Sequence, residues 1–125
     1  MAARLGELQL QVMEAVWRRG EATVAEVHRN LAAERKLAYT TILTTMRSLE
    51  RRGMLTHRSA GKAYVYCPTL SRQQYAEQRV GKLVEDLFHG RQERLLCHLL
   101  GAPRITRKEL EQIRRLVGGH GEAKE

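Results

Sequence analysis

Two cysteines, one tryptophan and one phenylalanine are all that 125 residues supply of the side chains that staple or heavily anchor a small domain. Cys67 and Cys97 stand far apart and no signal peptide precedes them. A disulfide framework is therefore not expected, and a reducing, cytoplasmic compartment is. With so few large aromatics, the 42% of apolar residues must build an aliphatic core. No apolar run approaches the length that spans a bilayer, so direct membrane insertion is not expected and any membrane role would come through a partner. Gly-x-Ser-x-Gly, a Walker loop and His-Glu-x-x-His are all missing. His28, His57 and His120 have no carboxylate at a catalytic spacing. Neither an enzyme nor a bound cofactor is expected.

Acidic residues are scarce where basic ones gather. The chain has 22 Lys and Arg against 14 Asp and Glu, a net charge of +8 and a pI near 10.1. Residues 35–62 hold Arg35, Lys36, Arg47, Arg51, Arg52, Arg58 and Lys62 against Glu50 alone. A surplus concentrated in one segment suits a polyanion.

That segment has a readable shape. Ile42, Met46 and Leu49 are spaced four and three apart, which is one stripe of a helix. At about 100° per residue, Thr40, Thr41, Thr44, Arg47, Ser48 and Arg51 fall on the other side. Hydroxyls and guanidiniums are the groups that hold phosphates and read base edges. Four threonines within residues 40–45 are poor helix formers, so propensity does not account for them. Gly53 stops the helix. Met54–Arg58 and Ala63–Cys67 alternate, with Ser-Ala-Gly-Lys between them, and read as a hairpin.

Upstream, Leu5, Leu8, Val12, Ala15 and Val16 predict a helix over 5–19, with Trp17 closing its edge. Thr23 and Glu26 form a capping box that opens a second helix through about Glu34. The turn is Arg35-Lys36-Leu37, and the third helix begins near Ala38. Alanine is a poor N-cap, so Thr40 or Thr41, or a phosphate on binding, is expected to help satisfy its first turn. Three helices and a hairpin make a winged helix-turn-helix over residues 1–70.

Downstream, capping boxes at Ser71/Gln74 and Thr106/Glu109 open two further helices. The first carries Leu83 and Leu87 and stops at Gly90. The last carries Leu110 and Ile113 and stops at Gly118-Gly119. Between them Leu95, Leu96, Leu99 and Leu100 make a stretch apolar nearly all round. Residues 71–118 offer more apolar surface than they can bury among themselves, which predicts a homodimer through these eight residues. Residues 119–125 read as a frayed tail. The expected fold is mainly α with a small β wing, plus a helical dimerisation region.

The order and spacing of several motifs over residues 5–117 resemble the penicillinase-repressor family, in particular its BlaI branch. They are Leu8 through Trp17, Thr23 through Val27, Tyr39 through Met46, Leu49 through Leu55, and Gly61-Lys62-Ala63-Tyr64-Val65-Tyr66-Cys67-Pro68. The resemblance implies repression by a dimer on an inverted-repeat operator in double-stranded DNA, with release by proteolysis or a competing partner, a membrane sensor-protease being the family's example. Three departures stand out. The third helix opens with Ala38-Tyr39 where the β-lactam repressors often have Ser-Pro. Cys97-His98-Leu99 replaces the Asn-Phe cleavage pair, so no cut site is carried over. The final Gly-His-Gly-Glu-Ala-Lys-Glu lacks the Cys-x-Cys motifs of the copper-responsive branch.

The expected DNA contacts are Thr40, Thr41 and Thr44 on bases, with Tyr39, Arg47, Ser48 and Arg51 on phosphates and Arg58 and Lys62 reaching phosphate from the wing. Two alternatives remain at this point. One is a metal- or redox-responsive repressor using Cys97 and His98, although a structural zinc needs four ligands. The other is a winged-helix module that docks on protein.

Overall fold

A computed structural model describes residues 4–121 of the chain, and the side chains of those up to residue 116. The first helix, α1 (Glu7–Arg19), is held open at its start by Gln9, whose side-chain oxygen accepts from the Gly6 N–H at 3.1 Å. It buries Val12, Met13, Ala15 and Val16. Two extended residues, β1 (Ala22–Thr23), follow. Thr23 then caps α2 (Val24–Ala32): its hydroxyl accepts from Glu26 N–H at 3.2 Å, and the Glu26 carboxylate accepts from Thr23 N–H at 2.9 Å. The helix ends at Ala32 rather than near Glu34, because the chain turns once Leu31 has reached the core.

The backbone bond from Thr23, aided by Arg19, holds the Glu26 carboxyl below its ordinary value of 4.5. A lowered carboxylate stabilises the fold at pH above its unfolded value, and that contribution is lost as pH falls through the lowered one. Glu26→Gln is therefore expected to flatten the acid limb of the stability profile. Urea unfolding on either side of pH 4.5 checks this; an unchanged limb would contradict it.

The third helix, α3 (Tyr39–Arg51), buries Ile42, Met46 and Leu49 completely, as its spacing predicts. Its start differs from expectation. Ala38 is the N-cap and no side chain caps the first turn, so neither Thr40 nor Thr41 does so. A threonine hydroxyl that does bond locally is Thr45, which donates backward to Thr41 O at 2.7 Å, a bond available to threonine inside a helix. The far end is a Schellman turn. Met54 N–H bonds Leu49 O at 2.9 Å, Gly53 N–H bonds Glu50 O at 3.0 Å, and Gly53 takes φ +81°. Leu49 and Met54, the two residues this turn brings together, are both buried.

The hairpin is β2 (Leu55–Ala60) and β3 (Ala63–Pro68). Its register pairs Ala60 with Ala63, so the loop is Gly61-Lys62 alone, shorter than the four residues read from sequence. Gly61 supplies the positive φ that a two-residue hairpin loop demands. A third strand was not foreseen: β1 pairs antiparallel with β3, placing β3 in the middle of the sheet. Trp17 closes the edge of this core, donating to Leu70 O at 3.0 Å and lying 5.6 Å from the Tyr75 ring.

Three more helices follow: α4 (Arg72–Phe88), α5 (Gln92–Leu100) and α6 (Arg107–Gly121). The Ser71/Gln74 and Thr106/Glu109 boxes form at the starts of α4 and α6. Gly101 in the left-handed region closes α5. The sequence stops α6 at Gly118-Gly119, but the helix runs to Gly121, and residues 122–125 of the expected tail lie outside the described residues. The chain divides into two compact units, residues 1–79 and 80–125, with the division inside α4. No helix among the described residues is long and apolar enough to cross a membrane.

Candidate nucleic-acid interface

With one side of α3 buried, the other must face solvent. Tyr39, Thr40, Thr44, Arg47 and Arg51 are exposed, while Thr41 and Ser48 are half-buried at the flanks. The flank at Ser48 belongs to α1. Gln9 donates to Ser48 Oγ at 3.3 Å, and its own oxygen accepts from Arg52 Nη1 at 2.7 Å. Arg52 also donates to Arg4 O at 2.7 Å. Ser48 is therefore seated by α1, though its hydroxyl proton is still available to an acceptor. At the other end, His28 Nε2 donates to Leu37 O at 2.7 Å and meets Tyr39 edge-on at 5.9 Å. Tyr39 is thus braced against α2 at the opening of α3.

The cations of this face differ in their engagements. Among the described residues Arg47, Arg51 and Lys62 make no ion pair, and Lys62 stands at the wing turn. Arg58 is paired with Glu21. Alternation along β2 puts Arg58 on the opposite side from His57. The sequence expects both Arg58 and Lys62 to reach phosphate from the wing; in the structure Arg58 is engaged by Glu21, just before β1, while Lys62 makes no ion pair among the described residues.

A second group was missed from sequence. Glu50 of α3 accepts from His57 Nδ1 on β2 at 2.6 Å, and the His57 ring lies 4.5 Å from Tyr64 and 5.5 Å from Tyr66. Tyr66 is buried, which raises its phenol above its ordinary value, with the Glu50 charge adding to the rise. Tyr64, on the same side of the strand, is 52% exposed. Alternation could find that side but not where along it burial ends.

In the second unit, Leu87, Leu99 and Leu100 are 65%, 68% and 61% exposed, and Leu83 is exposed as well. Leu95, Leu96, Leu110 and Ile113 are half-buried. Among described residues 80–116 only Val84 is buried. Cys97 and His98 line an open groove with Glu93, whose carboxylate is bound to Arg91 at 2.9 Å. No three His, Cys, Asp or Glu side chains gather as a metal site among the described residues.

Comparison with known proteins fits this geometry. The Penicillinase repressor family model matches residues 5–118. The chain is 33% identical over 124 residues to the transcriptional regulator BlaI of Mycobacterium tuberculosis, covering 94% of this chain and 88% of that protein. It is similar to the solution structure of the DNA-binding domain of the repressor BlaI, with TM-score 0.53 and 26% identity over 60% of this chain and 94% of that one. It is also similar to the monomeric form of Bacillus licheniformis BlaI in complex with the blaP half-operator, with TM-score 0.52 and 25% identity over 60% of this chain and 92% of that one.

Proposed function

The chain belongs to the penicillinase-repressor family, whose members are transcriptional repressors and not enzymes, and from that premise we propose that it represses transcription as a homodimer on an inverted-repeat operator. The observation that carries the reading is the solvent face of α3: hydroxyls, with Arg47 and Arg51, which make no ion pair among the described residues. Thr40, Thr41 and Thr44 meet base edges and thymine methyls in the major groove. Tyr39, Arg47, Ser48 and Arg51 hold phosphates, and Lys62 does so from the wing tip. A second copy supplies the other half-site about 34 Å away, or a multiple of that distance. The protein works in the cytoplasm, and occupancy ends by proteolysis or by a competing partner, with a membrane sensor-protease the candidate that the family suggests.

Selection of bound duplexes from a random pool tests this reading. An enriched inverted repeat is the expected result; enrichment of no sequence would remove the operator.

The engagements of the cations give a finer test. Each free cation that meets a phosphate contributes about one unit to the slope of log K against log salt. Arg51→Ala and Lys62→Ala are each expected to lower the slope by about one unit and weaken all sequences alike. Arg58 must leave Glu21 to reach a phosphate, so Arg58→Ala should lower it less. Anisotropy titrations across salt measure this. Equal losses for all three would put Arg58 back among the phosphate contacts.

A further inference from the structure

Glu50 is the one carboxylate that α3 carries, and it lies between Arg47 and Arg51 in sequence. A negative charge on an element that meets phosphates weakens binding to every DNA sequence alike. Its contacts suggest what offsets that loss. A carboxylate only accepts, so the 2.6 Å bond to His57 places the proton on Nδ1 of the imidazole. His57 in turn lies against buried Tyr66 and exposed Tyr64. Apart from its ladder with β3 and the Arg58–Glu21 pair beside β1, little holds the outer strand. Every β2 residue after Leu55 is exposed, and the backbone joining α3 to β2 passes through Gly53 at positive φ. The bond from Glu50 ties this outlying strand to the helix that reads bases.

Resting on the DNA-reading function above, we propose that Glu50 and His57 are positioning residues that fix the wing against the reading helix, so that Glu50 gives up uniform affinity and contributes sequence specificity. The wing and the helix then arrive together on one register of the duplex. A looser wing still binds phosphate, but it no longer favours the register in which α3 meets its bases.

The test uses the full chain, the duplex that the wild type enriches most from a random pool, and a shuffled duplex of equal length. Glu50→Gln and Glu50→Ala both remove the charge, but only Gln keeps an acceptor for His57. Both should bind the shuffled duplex about twofold more tightly at low salt, the scale of one charge acting across about 10 Å of water. Glu50→Ala should lower the ratio of selected to shuffled affinity about tenfold, and Glu50→Gln should keep it. His57→Phe keeps a ring beside the tyrosines and loses the donor. It should lower the ratio as Glu50→Ala does, without the gain on shuffled DNA. A ratio unchanged in Glu50→Ala and His57→Phe would overturn the proposal, and so would an equal fall in Glu50→Gln and Glu50→Ala. A wild type that prefers no duplex would instead overturn the DNA-reading premise, and this assignment with it. Melting temperatures within a few degrees of wild type separate positioning from loss of fold.

Discussion

Replacing Leu99 and Leu100 together by Asp is expected to give single chains at micromolar concentration and to cost the inverted repeat about a hundredfold or more in affinity. Both side chains are more than half exposed in the isolated chain, on a helix with no buried residue. Covering such a side chain is worth roughly 1.5–3 kcal/mol when it is fully buried. A carboxylate in the same place must lose its water without a partner. The loss in DNA affinity has a separate origin. In a dimer the second reading helix binds as an intramolecular event, and that linkage alone multiplies affinity by about 10²–10⁴. Affinity per chain for random DNA should change little, because α3 and the wing are untouched. Sedimentation and anisotropy read the two effects. A variant that stays paired would show that these leucines do not form the interface.

Leu49→Ala should have the largest effect on stability. Leu49 is fully buried, lies on the inner stripe of α3 and accepts the Met54 N–H bond that ends the helix. Truncating a buried leucine costs about 2–5 kcal/mol. A small domain holds only about 5–15 kcal/mol in total. The melting temperature should therefore fall on the order of 10–40 °C, at 4–8 °C per kcal/mol. Circular dichroism on heating measures it. A shift of only a degree or two would mean that the stripe does not seat the reading helix.

Features written in neighbouring residues were legible in the sequence. Spacings of three and four identify the inner stripe of α3, and the Thr23/Glu26, Ser71/Gln74 and Thr106/Glu109 boxes are each complete within four residues. Gly53 and Gly90 marked helix ends because a left-handed residue favours glycine. What remained hidden was set by distant partners. Ala22-Thr23 is a strand only because it meets Val65 and Tyr66. Arg58 differs from Lys62 only because Glu21 comes beside it. Ser48 is half-buried because Gln9 reaches it from α1. In the proposed DNA-binding face, the sequence shows which side chains point outward; it does not show which are already occupied by a neighbour.

Equilibrium sedimentation of the full chain with the duplex it enriches most would test the dimeric account most directly. Two chains per duplex, with a one-half-site duplex binding at least a hundredfold more weakly, is the predicted result. Saturation at one chain per duplex, with the half-site bound as tightly as the whole, would contradict it.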